Sequence, residues 1–126
     1  MAVTLAEQAS ATPEAAPTIT HGAIVELAAP EDAAGGPRVC VVVQADLFNE
    51  THATVTLCPL TAVVGGESLF RVAISPQEHT GLMVECEVQV DRITSVRRHR
   101  IVRVIGHASA TRMEQVDQAL RRWLAL

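Results

Sequence analysis

Aromatic side chains are nearly missing from this chain: it has no tyrosine, and Phe48, Phe70 and Trp123 stand alone. Binders that grip a single nucleic-acid strand by stacking successive bases on rings need more of them, which weighs against that mode. Lysine is missing too, so all ten basic residues are arginine. A planar guanidinium suits bidentate phosphate contacts. High genomic GC content would leave the same bias, and both readings stand. Cys40, Cys58 and Cys86 lie far apart with no CxxC, each inside an apolar run. They read as small buried hydrophobes in a reducing cytosol. The five histidines show no HExxH or paired spacing, so no zinc site and no cofactor are expected. No stretch approaches the ~20 apolar residues of a membrane span. The opening MAVTLAEQASATPEAAPTIT lacks the basic and apolar regions of a signal peptide. A cytoplasmic protein is expected.

What is present fits one domain, since compact domains commonly hold ~100–150 residues and the chain has 126. The net charge of −4 hides a split. Residues 1–67 carry eight acids against Arg38 alone, while 68–126 carry six acids against nine arginines. Residues 1–19, rich in Ala, Thr, Pro and Glu, lack a sustained apolar period and are predicted to be a disordered arm ahead of a domain over 20–126. Strands are predicted at 22–29, 38–45, 53–60, 69–74 and 83–90, with a last short one at 101–108. The run at 38–45 is apolar at successive positions and so covered on both faces. The next strand alternates Thr54 and Thr56 against Val55 and Leu57, and is predicted to end at Pro59. In MVECEVQV, Val84, Cys86, Val88 and Val90 oppose Glu85, Glu87 and Gln89. Ser109 is placed to cap a terminal helix whose apolar face carries Met113, Val116, Leu120, Trp123 and Leu124. The class is mainly β, closed by one helix.

Arg38 opens a strand directly after a Gly-Gly-Pro loop, so the sheet fixes its backbone while its guanidinium can wait at the sheet's end for an anion. An ordinary surface pairing with Glu31 or Asp32 fits the spacing as well. If strands 38–45 and 53–60 pair as a hairpin through DLFNETH, Thr61 comes beside Arg38. A guanidinium and a hydroxyl converging on one point make a small phosphate or oxyanion site, although a strand-end Thr also caps turns. The run RRHR offers Arg97, Arg98 and Arg100 as phosphate contacts, or a solvated charged turn. Gln44 and Asn49 can contact bases, or cap the strand and the turn.

Taken together, GAIV, GGPRVCVVVQADLFN, VTLCPLTA, DRITSVRRHRI, IGHAS and VDQALRRWLAL resemble, in order and spacing, the MazF/PemK family of toxin endoribonucleases. The resemblance covers nearly all of 21–126. It implies an SH3-like small β-barrel with a C-terminal helix, acting as a homodimer. It further implies metal-independent cleavage of single-stranded RNA, and inhibition by a cognate MazE-like antitoxin with an acidic, partly disordered tail. By position it assigns Arg38 and Thr61 to the scissile phosphate, and it makes Asp91, at the family's acidic position, a candidate base. A salt bridge from Asp91 to Arg92 or Arg97 reads equally well. Glu31 and Asp32 lie where the family often has an acid, at a different distance from the arginine. The chain departs from the family at His21-Gly22-Ala23, where Arg-Gly-Asp is common, at Val39, where Pro is common, and at Arg92, where Gln is expected. Two rivals remain: a CcdB-like gyrase poison on the same fold, acting through the terminal helix near Trp123, and a non-catalytic barrel that binds RNA or a partner.

Overall fold

The computed structural model describes residues 18–29, 38–62, 65 and 69–126. The expected arm lies outside the described residues as far as 17, as do Glu31 and Asp32. Ile19 is described, and it is buried.

Seven antiparallel strands form one sheet: β1 (Ala23–Leu27), β2 (Arg38–Val42), β3 (Thr54–Thr61), β4 (Arg71–Ile74), β5 (Cys86–Gln89), β6 (Thr94–Arg97) and β7 (Ile101–His107). A short helix α1 (Asp46–Asn49) sits in the β2–β3 connection, and α2 (Ala110–Leu124) ends the chain. The spatial order is β4-β5-β3-β2-β1-β7, with β6 also on β3. The mainly-β architecture with a terminal helix is therefore what the chain adopts. No ladder joins β6 to β7 among the described residues, so the coiled sheet is not closed by pairing.

Strand β3 organises the molecule because its two ends have different outer neighbours. Thr54–Leu57 pair with β6, while Leu60 and Thr61 pair with β5. Pro59 has no N–H to donate and stands where the neighbour changes. The strand therefore runs through Pro59 to Thr61 and does not end at the proline as the sequence suggested.

Alternation on this sheet feeds two cores. On one face Ile24, Val41, Cys58, Val72, Ile74 and Val88 pack with Met113, Val116 and Ala119 of α2. On the other, Val25, Leu27, Cys40, Val42, Val55 and Leu57 pack with Ile101, enclosed by the coiling of β6 and β7. Burial on both faces explains the unbroken apolar run of β2. The helix is capped as expected, with the Ser109 hydroxyl accepting from the Arg112 N–H. Trp123, expected on the apolar helix face in a core role, is instead 46% exposed. Its ring meets Phe70 edge-on with centroids 5.1 Å apart.

The strand expected at 83–90 is shorter, because the backbone at Thr80–Gly81 crosses β7 at closest range. A side chain on Gly81 would come within 2.0 Å of the Ile105 carbonyl oxygen, and one on Gly106 within 2.1 Å of that of Thr80. Only glycines allow this crossing, and it leaves Leu82–Glu85 outside the ladder.

Candidate active site

Printed register pairs place Cys40 opposite Pro59, Val41 opposite Cys58 and Val42 opposite Leu57. Carrying that register two residues further sets Arg38 across from Thr61. Side chains repeat every second residue. Arg38 thus shares a face with Cys40 and Val42, and Thr61 shares it with Pro59 and Leu57. Both side chains lie beyond the end of the inner core, which leaves them at its rim.

They line one open cleft of about 630 Å³, with Val39, Leu60, Ala62, Leu82, Met83, Val84, Cys86, Gln89 and Arg92. Arg38 is exposed, as a group that meets a polyanion must be, and Thr61 is half-buried. Met83, 94% exposed, forms an apolar wall. Arg38 also borders a second cavity of about 310 Å³ at the rim, which Thr94, Ser95 and Arg100 share above an apolar floor of Leu27, Cys40 and Leu57. Both guanidiniums act on the Cys40 thiol: burial raises its pKa to about 11, against the smaller lowering pull of Arg38 and Arg100.

Asp91 is not among the residues lining this cleft. It sits in a 3-10 turn, Val90–Arg92, and its Oδ1 lies 3.4 Å from Arg71 Nε on β4. Neither atom has a hydrogen-bond partner among the described residues, and both are buried. The partner is therefore Arg71, not Arg92 or Arg97, and the pair bridges β4 to the turn.

Gln44 and Asn49 are both engaged within the β2–β3 connection. Gln44 Nε2 donates to Asn49 Oδ1 (3.0 Å) and to the Thr54 carbonyl (3.2 Å), while its Oε1 accepts from the Thr56 N–H (3.1 Å). Asn49, fully buried, donates from Nδ2 to the Gln44 carbonyl at 3.1 Å. Arg98 secures the same connection, donating from Nη2 to the carbonyls of Asn49 and His52. Arg100 donates to the Ala28 carbonyl at 2.8 Å while bordering the rim cavity. Arg97 is exposed on β6. Within the run RRHR, Arg97 ends the edge strand β6 and Arg98–Arg100 form a 3-10 turn with no buried residue.

Of the four departures from the family pattern, two lie away from the cleft. The His21 N–H donates to Asp46 Oδ1 at 2.6 Å, and Ala23 is buried in the inner core. Val39 and Arg92 line the cleft. Gln89 also lines it, which the sequence reading missed, although its place on the polar face of β5 was visible in the alternation.

The arrangement presents donors to an anion at one rim: the guanidiniums of Arg38, Arg92 and Arg100 with the hydroxyls of Thr61, Thr94 and Ser95, beside an open cleft. A family model described as PemK-like, MazF-like toxin of type II toxin-antitoxin system matches residues 20–124. The chain is 35% identical over 98 residues to endoribonuclease MazF9 of Mycobacterium tuberculosis, spanning 74% of this chain and 82% of that protein. It is 33% identical over 92 residues to a probable endoribonuclease MazF of Mycolicibacterium smegmatis, spanning 73% and 84%. A MazE-MazF crystal structure from Deinococcus radiodurans superposes with a TM-score of 0.73 at 23% identity, covering 86% of this chain and 98% of that one.

Proposed function

The chain belongs to the PemK-like, MazF-like toxins of type II toxin-antitoxin systems, and from that premise we propose that it is an endoribonuclease cutting single-stranded RNA with Arg38 and Thr61 at the scissile phosphate. The observation that carries the assignment is their common face and common cleft. In the proposed step the RNA 2′-oxygen gives its proton to a solvent water and bonds to the adjacent phosphorus, while the bond from phosphorus to the 5′-oxygen breaks and that oxygen takes up a proton from solvent. The products are a cyclic phosphate and a 5′-hydroxyl end. Negative charge gathers on the phosphoryl oxygens as the new bond forms. Arg38 meets that charge from a backbone already fixed by the sheet, and Thr61 donates to a phosphoryl oxygen.

A guanidinium keeps its proton in a protein, so Arg38 is assigned electrostatic stabilisation of the phosphoryl and leaving oxygens, not base catalysis. Asp91 is assigned to holding its turn, since its pairing with Arg71 supports a structural role. The rim cavity that Arg38 shares with Thr94, Ser95 and Arg100 supports an RNA path running on from the cleft, with Arg97 and Arg100 at flanking phosphates. The interactions of Gln44, Asn49 and Arg98 support roles in shaping that edge.

A cytoplasmic homodimer held in check by a cognate antitoxin completes the reading. The MazE-MazF structure supports the antitoxin, and an arginine-rich C-terminal half suits an acidic segment. The test is expression in a bacterial host of the wild type beside Arg38→Ala and Thr61→Ala, with digestion of a synthetic RNA in chelator. Growth arrest and 5′-hydroxyl ends from the wild type, with relief in both variants, are expected. Equal arrest from all three would overturn the assignment.

A further inference from the structure

Gln89 ends β5 half-buried, and it lines the cleft together with Arg38 and Thr61. Thr61 pairs with Glu87 across the β3–β5 ladder. Two residues further on, Gln89 therefore faces the same side of the sheet as Thr61. The two stand on a diagonal, about 7–8 Å apart. That separation is on the scale of one nucleotide, from a phosphate to a neighbouring base.

The backbone beneath Gln89 is fixed from two sides. It pairs with Arg71 on β4, and the next residue, Val90, is fully buried and donates its N–H to the Phe70 carbonyl at 3.0 Å. The side chain is not used in the same way. It caps nothing in the 3-10 turn that follows, and among the described residues its carboxamide has no hydrogen-bond partner. Gln44 makes the contrast, with its carboxamide engaged inside the β2–β3 connection. Gln89 thus holds a donor and an acceptor side by side at the cleft. Leu82, Met83 and Val84 line the same cleft with apolar surface, and the exposed Arg92 adds a guanidinium plane. An unstacked RNA base is held by that combination: a plane or apolar contact for its face, and paired hydrogen bonds for its edge.

We propose that Gln89 is a specificity-determining residue for RNA cleavage: its carboxamide pairs with the edge of one base flanking the phosphate held by Arg38 and Thr61, and so selects which sequences are cut. The proposal rests on the nuclease reading above. Gln89 touches no reacting atom, so changing it alters the choice of sequence. A carboxamide fits a base edge that sets an acceptor beside a donor. A carboxylate offers acceptors only, which fits the edge of guanine, where N1–H and the amino group lie side by side.

The experiment digests a pool of single-stranded RNA of randomised sequence with wild type, Gln89→Met and Gln89→Glu, and sequences the product ends. Wild type should prefer one base at one position flanking the cut. Gln89→Met, which keeps side-chain length and removes both donor and acceptor, should lower that preference by about 5- to 100-fold, the range for one paired contact between a side chain and a base. Preferences at the other positions should hold. Gln89→Glu should turn the preference at the same position to guanine. A change confined to one position is a signature that damage to the fold does not give, since a damaged fold cuts every sequence less. An unchanged preference in both variants would overturn the proposal and leave the nuclease reading standing, as would an equal loss of cutting on every sequence in both. A wild type that cuts nothing in the pool overturns the proposal together with the nuclease reading beneath it.

Discussion

Cys40 on β2 faces Pro59 on β3, and that one pairing decides where the guanidinium and the hydroxyl meet. Two residues outward from each lie Arg38 and Thr61, on the face that encloses the inner core. Removing the guanidinium should cost about 10²–10³ in kcat, the range for losing one donor aimed at developing charge. Arg38→Lys should recover only part of this, because a point charge lacks the planar fork. Thr61→Ala should cost less, and Thr61→Ser should restore most of the loss. Single-turnover cleavage of a synthetic RNA reads all four, and a Lys variant as fast as wild type would remove the argument from fork geometry.

Asp91 and Arg71 form an isolated pair whose facing atoms are buried. Removing either partner leaves a polar atom without compensation, at about 1–3 kcal/mol. Asp91→Ala and Arg71→Ala should each lower the unfolding midpoint, while the double variant Asp91→Leu with Arg71→Met should regain part of it. RNA cleavage measured well below those midpoints should stay close to wild type. A loss of activity in Asp91→Ala matching that of Arg38→Ala, without loss of stability, would return Asp91 to the catalytic list.

The juxtaposition of Arg38 and Thr61 was legible in the sequence because a hairpin and a two-residue period fix both register and face. The terminal helix was legible from its cap and apolar spacing. Strand β6 was not, since Thr94–Arg97 is an edge strand with little buried surface that runs at Arg97 into a charged turn. Alternation named the face of Glu87 but could not name the Gly65 N–H that donates to it. The partner of Asp91 lies on β4, brought near only by the sheet order, and no local pattern announces that.

Arg98 and its neighbours should separate by function. Arg98 already donates to the carbonyls of Asn49 and His52, so Arg98→Ala should lower stability by about 1 kcal/mol and leave the salt dependence of RNA binding nearly unchanged. Exposed Arg97 and rim-lining Arg100 should behave differently. Each alanine variant should reduce the slope of log K against log salt by about 0.7 if one single-strand phosphate contact is lost. Filter binding across salt concentrations, with an uncleavable RNA, measures this.

The buried thiols make the alkaline limb of stability readable. Burial pushes Cys40 up to about 11 and Cys58 up to about 12, from an ordinary 9.0. In that window the unfolded chain has released protons that the folded chain still holds, so stability falls as pH rises above about 9. The loss is about 1.4 kcal/mol per pH unit for each thiol, and it ends as pH passes the folded value. No lysine or tyrosine titrates alongside them. Urea unfolding between pH 8 and 11 should show the slope, and Cys58→Val should remove one thiol's share. A flat profile in wild type would mean that the thiols meet solvent.

Trp123 separates the nuclease from the gyrase-poison alternative. Its ring packs edge-on against Phe70 and remains 46% exposed, far along α2 from the capped start at Ser109. The helix is held to the sheet chiefly by Met113, Val116 and Ala119. Trp123→Ala should therefore cost about 0.5–1.5 kcal/mol from the lost ring pair, plus the apolar area the ring covers. It should leave the Arg38–Thr61 cleft intact. Growth arrest and RNA cleavage should persist in Trp123→Ala and vanish in Arg38→Ala. A toxin acting through the helix end would show the reverse: arrest abolished by the tryptophan change, and indifferent to the arginine one.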